Sequence, residues 1–310
     1  MRRSLIGLLL GLLLVVPAPA FWQSRDSNYN TKIAAGSAYV GPGDVLAGAW
    51  GYWGLRCYST ASTGNIADFT DGATGNTTGT RLQCSAGGVI SAVVSGSACT
   101  FVTGNACSSL ATTCAISCKI EELYNQSGGG GPNFTQSTTA DRFVYTANCV
   151  NTSVPCMSNA TAFGGPLGAT GVTLAQPFSA FMSAENTGGS GVSATAGGNS
   201  GAWRTGFRVG SGCDAYAGSE QTQACTQSVW HTTQIAFNGA SSAWSVDGTE
   251  LGTVSLGTGA MSSSGMNLGD DYNGNPNEGN LFEVFIYASA VSSANRGLLN
   301  TNQCKYLGLC

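Results

Sequence analysis

Carboxylates and amides gather in one place near the C-terminal end of the sequence, LGDDYNGNPNEG, Leu268 to Gly279. Asp270, Asp271, Asn273, Asn275 and Glu278 there are oxygen donors in a glycine-broken loop, the chemistry that holds Ca²⁺, although a solvated turn accounts for the same residues. Elsewhere chemistry is sparse. His231 is the only histidine, so neither a histidine-based triad nor a multi-histidine metal site can be assembled, and a histidine beside Trp230 on a strand face reads as structural. No dedicated metal site and no cofactor is expected beyond that Ca²⁺ option. Trp50, Tyr52, Trp53, Trp203, Trp230 and Tyr272 are the aromatics that could offer flat faces to a sugar ring, against a background in which most aromatics of a β-sandwich are core.

The elements that would position these groups are strands. Only 9% of the 310 residues are charged, 45 are glycine, and Ser, Thr, Asn and Ala abound, the profile of an all-β extracellular protein. Beyond Ala160, short runs with strand character recur about every ten residues: PFSAFMSA, AWRTGFRV, SVWHTTQIAFNG, SAWSVDG, TELGTVSLG and NLFEVFIYAS. That spacing favours antiparallel sheets over a parallel sheet, which needs helices between strands. In VWHTTQIAF, Val229, His231, Thr233, Ile235 and Phe237 share one face, and in NLFEVFIY the apolar face is Phe282, Val284 and Ile286, with Glu283 and Phe285 opposite. Helices are expected only near Val45 to Trp53 and from Ser293 to Tyr306 with Ser292 or Ser293 as cap. The Gly/Ser-rich tract from Gly188 to Gly201 reads as a surface loop between strands.

MRRSLIGLLLGLLLVVPAPA has the basic start, apolar centre and small-residue ending of a secretory signal, residues 1–20, and the apolar run is too short to span a bilayer. A polar tether over 21–35 follows, and 36–310 reads as one domain. Export makes the twelve cysteines, an even set with no C-x-x-C pair, a disulfide framework rather than a zinc site. Cys213 with Cys225 and Cys304 with Cys310 are the near-neighbour pairs. A net charge of -4 without a basic stripe excludes a nucleic-acid partner and disfavours an anionic membrane surface.

The run Leu123-Tyr124-Asn125-Gln126-Ser127-Gly128, followed by Asn133-Phe134-Thr135-Gln136, resembles the signature of the α-L-arabinofuranosidase B catalytic domain among concanavalin A-like (LamG-like) jelly rolls. Gly41-Pro42-Gly43-Asp44-Val45, the stretch Leu268 to Val284 and the terminal Ala290 to Leu307 resemble other parts of the same domain. The resemblance implies an all-β concanavalin A-like sandwich with short peripheral helices, stapled by disulfides. It also implies a glycine-rich turn without chemistry at Gly128–Gly131. The family's acid/base falls on Asp271, or on Asp270 if the gap moves by one. Its nucleophile strand falls on Gly201 to Gly210, with Phe207 and Val209 where carboxylates should stand. No Asp or Glu occurs between Glu185 and Asp214, the two nearest that could swing in.

The sequence is therefore read as a secreted carbohydrate-recognising module, its sugar arabinose-containing by resemblance. Trp203, Trp230, Tyr272, Asn273 and Asp270 are the ligand candidates and Asp271 is an acid/base candidate without a nucleophile. The alternatives are a working retaining α-L-arabinofuranosidase and a structural cell-surface or virion module.

Overall fold

A computed structural model of the chain describes residues 39–71, 77–94, 97–100, 118–151, 154–159, 167–187, 192–198, 202–208, 212–260, 265–271, 275–276 and 279–310. The signal segment and the tether lie outside the described residues. The domain opens with a single helical turn, α1 (Pro42–Val45), started by proline, with the Asp44 carboxylate accepting the Gly41 amide at 2.8 Å. The helix expected to run on to Trp53 stops there. Leu46 is already extended, Gly48 takes a φ of +83°, and β1 (Gly51–Gly54) follows. The aromatic spacing in WGYWG mimics a helix period, but its short glycine-flanked aromatic run finds a sheet edge to pair with.

In chain order the remaining strands begin with β2 (Gly64–Asp71), β3 (Thr77–Ser85), β4 (Val89–Val94), β5 (Ser97–Thr100), β6 (Cys118–Leu123) and β7 (Phe134–Thr135). The hairpin β8 (Val144–Asn151) and β9 (Val154–Asn159) follows, then β10 (Leu167–Ala169), β11 (Phe178–Asn186), β12 (Val192–Gly198), β13 (Arg204–Arg208), β14 (Gly212–Tyr216) and β15 (Glu220–Gln223). Last come β16 (Trp230–Phe237), β17 (Ser242–Val246), β18 (Thr249–Val254), β19 (Met266–Leu268), the short pair β20 (Asp270–Asp271) and β21 (Asn275–Pro276), β22 (Gly279–Tyr287) and the helix α2 (Ser293–Leu307).

All of these pairings are antiparallel. One layer runs β18-β17-β16-β11-β22, with β1 and β9 sharing the far edge of β22. The other runs β15-β14-β13-β12-β19-β10-β7-β6-β2-β3-β4-β5. The β8–β9 hairpin joins β6 to β22, so the two layers run into one nearly closed sheet. The chain is thus an all-β sandwich with short peripheral helices, as expected.

The tract read as a surface loop after Gly188 contains β12, an interior strand of its layer. Small residues are what that position demands: a Cβ on Gly197 would meet the Trp203 carbonyl at 2.8 Å, and one on Gly198 the Trp203 ring at 3.0 Å. Its hydrogen-bonded neighbours supply the strand geometry that its composition does not.

Between the layers lies the main core, with Trp53, Phe69, Phe134, Phe178, Phe207, Phe237 and Phe282 among its side chains. Phe282, Val284 and Ile286 share it, as the alternation of β22 requires. The opposite side of that strand is buried too. A second cluster of Tyr52, Tyr58, Phe181, Phe285, Tyr287, Val291 and Leu299 covers part of the outer face. The helix α2, capped by the Ser292 hydroxyl and ended by Gly308 at a φ of +70°, covers more of it. Its Gln303 donates to Ser183 at 2.8 Å, and its Asn300 accepts from Thr232 at 2.6 Å. Hence β16 is buried along its whole length. No helix among the described residues is long and apolar enough to cross a membrane.

Four disulfides are described, Cys57–Cys84, Cys149–Cys156, Cys213–Cys225 and Cys304–Cys310, and none of the described cysteines is free. The two near-neighbour pairs expected from spacing are among them.

Candidate functional site

The Asp270–Asp271 segment leaves the second layer at the end of β19. Gly269 makes the departure possible, with a φ of +90° and the Phe143 ring 2.2 Å from where a Cβ would sit. Asp270 then pairs with Pro276 and Asp271 with Asn275. On one edge of β12, Ala196 faces Leu268 of β19; on the other, Ser193 faces Phe207 and Thr195 faces Gly206 of β13. The Asp270–Asp271 segment itself lies against β12, whose other edge pairs with β13. The hairpin and β13 thus both neighbour β12.

What β13 contributes there is not acid. Phe207 is buried in the inter-layer core, and Thr205 shares a hydrogen bond of 2.9 Å with Thr233. Val209 lies outside the described residues. The two carboxylates nearest to β13 in sequence are both engaged. Asp214, fully buried on β14, is ion-paired with Arg204, which also reaches Glu220 at 3.3 Å and lies over the Tyr216 ring at 4.9 Å. Glu185 accepts from Asn280 at 2.8 Å.

Two of the aromatic candidates are corrected by their burial. Trp203 is completely enclosed, against Phe178 at 5.2 Å and Phe237 at 5.6 Å between ring centroids, and Trp230 is 7% exposed. Each sits at the entry of a strand whose inner side faces the core, so neither offers a face to a ligand in solution. Tyr272, Asn273 and Glu278 lie outside the described residues, and with them the loop read as a Ca²⁺ option. Among the described residues no group of three or more His, Cys, Asp or Glu is placed to hold a metal ion.

The glycine-rich turn is built around Asn125. Its Oδ1 accepts from the Tyr52 amide at 3.0 Å and from the Ser127 hydroxyl at 2.8 Å, while its Nδ2 donates to the Gly131 carbonyl at 2.8 Å. A carboxylate could accept but not donate, which gives this chain's asparagine a physical reason. The loop lies flat on β1: a Cβ on Gly129 would stand 2.4 Å from the Trp50 carbonyl, and one on Gly131 2.9 Å from the Trp53 ring. Trp53 donates from its indole nitrogen to the Pro132 carbonyl at 2.8 Å. The turn is architecture, and the Asn125 amide is committed within it.

His231 is held at both ring nitrogens, by Asp247 at 2.6 Å and by the Thr226 carbonyl at 3.0 Å. Burial lowers its pKa, but the Asp247 carboxylate and then the Thr226 carbonyl outweigh burial and leave it raised. Only the imidazolium donates to both acceptors at once. The pair fastens the start of β16 to the β17–β18 turn.

Beneath α2 the layer's outer face hides an ion pair the sequence did not announce. Arg56 and Glu283, both fully buried, meet through two bonds of 2.8 Å, and Tyr52 adds a third to Glu283, also 2.8 Å. The guanidinium lies 4.5 Å from the Tyr306 ring centre. Burial alone would lower the Arg56 pKa, but Glu283, with Tyr39 and Tyr52 behind it, raises it. Burial pushes the Tyr306 hydroxyl up to about 12.

The two-layered, nearly closed antiparallel sandwich is an architecture shared with known structures. The fold is that of the α-L-arabinofuranosidases. A mutant of a GH54 enzyme soaked with 4-nitrophenyl α-L-arabinofuranoside superposes with a TM-score of 0.55 at 13% identity, over 85% of this chain and 64% of that one. An arabinofuranosidase complexed with arabinofuranosyl-α-1,2-xylobiose gives 0.52 at 16% identity over the same shares. This chain therefore spans a little under two thirds of the length of those enzymes. No family model matches the sequence, and no curated protein matches it.

Proposed function

We propose that this chain is a secreted carbohydrate-recognition module that keeps the arabinofuranosidase sandwich without the pair of carboxylates that hydrolysis needs. One observation carries the reading: β13, the strand to which the resemblance assigns the nucleophile, presents Phe207 to the core, while Asp214 and Glu185 are engaged elsewhere. Double displacement requires a carboxylic acid on one side of the scissile bond and a carboxylate nucleophile on the other, about 5–5.5 Å apart. Asp271 alone could protonate a leaving oxygen, but nothing then captures the oxocarbenium-like centre. The sugar class is inferred from the ligands of the similar structures, an aryl arabinofuranoside and an arabinofuranosyl xylobiose. Secretion is inferred from the signal-like start and supported by the disulfides, which persist in oxidising compartments.

A working arabinofuranosidase is the second reading, favoured by the Asp270–Asp271 hairpin lying against β12, the neighbour of β13. Incubation with 4-nitrophenyl α-L-arabinofuranoside, beside a glycan array, separates the two. The expected result is glycan binding without release of nitrophenol. Turnover abolished by Asp271→Asn would overturn the module reading, and neither turnover nor binding would leave a scaffold only.

A further inference from the structure

We infer that the cleft between the Ser62–Asn65 turn and the Tyr124–Gly128 loop is a separate binding site for a single neutral sugar unit. It encloses about 230 Å³. Drug-sized ligands occupy pockets of roughly 300–1,000 Å³, so this one suits a monosaccharide rather than a chain segment. Its lining is hydroxyl, amide, phenol and the Cys57–Cys84 disulfide, with no charged side chain. Behind it, Asp68 and Arg81 neutralise each other in an ion pair. A neutral polyol, whose hydroxyls both donate and accept, matches that lining; a phosphate or carboxylate finds no cation in it.

Hydrogen-bonding capacity is left over in this cleft. Asn65 accepts from Gln83 through Oδ1 at 3.0 Å, and its Nδ2 has no partner among the described residues. Gln126 donates to the Gly54 carbonyl at 2.8 Å, while its Oε1 faces the Cys84 sulfur at 3.4 Å. That sulfur is half of a disulfide and has no proton to give, so Oε1 remains an acceptor waiting for a donor. Thr63 adds an exposed hydroxyl at the rim.

The walls are fixed before any ligand arrives. The Tyr124 hydroxyl donates to Asp68 at 2.8 Å and accepts from Arg81 at 3.0 Å, with the guanidinium 5.3 Å from its ring centre. Gly64 and Gly128, at φ of +126° and +69°, have open space where a Cβ would stand, which keeps the cleft accessible. Side chains already held lose little freedom on binding. The cleft is at the opposite end of the second layer from the Asp270–Asp271 hairpin, because β19 runs antiparallel to β6 through β10 and β7. It stands whether or not the hairpin face binds sugar.

The test titrates the full secreted chain with methyl β-D-xylopyranoside and methyl α-L-arabinofuranoside, followed by saturation-transfer NMR. Saturable binding of at least one probe in the range of about 1–10 mM is expected. Asn65→Ala, which removes the free amide, and Thr63→Trp, which fills the cleft from an exposed position, should each weaken it about tenfold or more. Leu298→Ala, at an exposed position of α2, should leave it unchanged. The proposal is overturned by no saturation up to about 50 mM, by binding indifferent to both cleft variants, or by binding lost in Asp271→Asn alone. Cleft binding without any hairpin-dependent glycan binding would defeat the proposed function and keep this site. Urea midpoints matching the parent establish that the variants are folded.

Discussion

Among the described residues two arginine–carboxylate pairs are buried on both sides, and they serve different ends. Arg56–Glu283 lies on the outer face under α2, sealed by Tyr52, Tyr306 and Phe282, with both partners at 0% exposure. Arg204–Asp214 lies on the strands beside the candidate site, and its arginine has a second, half-exposed partner in Glu220. The first pair is tied only to itself and its aromatic cage; the second can shift its charge to another carboxylate. Burial of a charge therefore does not mark a site in this fold. It marks, in one case, a seam between sheet and helix, and in the other, a carboxylate committed to its arginine within the sheet.

The sharpest way to break that comparison is to remove one acid from each pair. Glu283→Gln strands a buried guanidinium and should cost about 3–5 kcal/mol in urea unfolding. Asp214→Asn leaves Arg204 its contact with Glu220, and a loss of about 1–3 kcal/mol is expected. Equal losses would show that the second pair is as sealed as the first. Replacing Arg56 and Glu283 together by methionine should recover most of the loss of Glu283→Gln, since a well-packed apolar pair substitutes for a buried ion pair.

Each pair also stands next to a disulfide. Cys57–Cys84 closes 27 residues and Cys213–Cys225 closes 12. By loop entropy alone, changing both cysteines to serine should cost about 3.5 kcal/mol for the first and about 3 kcal/mol for the second. A much larger loss at Cys57–Cys84 would mean that it also holds Arg56 in register. Glycan binding measured on the same variants should fall at the cleft for Cys57–Cys84 and not for Cys213–Cys225.

The smallest effect belongs to His231. Its folded pKa is raised, so the stability it confers is complete below the unfolded value of about 6.5 and fades as pH rises through the folded value. The stability gap between the parent and His231→Gln should therefore be widest near pH 6 and narrow toward pH 8.5 in urea titrations. A gap that widens with pH would show that the neutral ring is the bound form.

Legibility in the sequence followed how local each cause was. Ser292 caps α2, and Cys304–Cys310 and Cys213–Cys225 close between near neighbours, and all of these could be read directly. β12 could not, because its glycines and serines form a strand only between β13 and β19. Glu283 looked like the polar face of a half-exposed strand; alternation says which residues share a face, not that a helix 15 residues long will cover it. Trp203 and Trp230 are enclosed in the inter-layer core, which residue type alone does not show. Asp271 was placed by motif, and the sheet puts its backbone beside β12, whereas the cleft by Asn65 and Gln126 joins two segments that no motif links.

The seam under α2 also sets the order in which the molecule can be completed. Tyr52 and Glu283 are 231 residues apart, and the strands that carry them, β1 and β22, are direct neighbours. Until β22 and α2 have emerged from a ribosome or a pore, β1 lacks its described strand partner and the outer face lacks its cover. The outer face is closed only when α2 docks on Ser183 and Thr232 and over the Arg56–Glu283 pair.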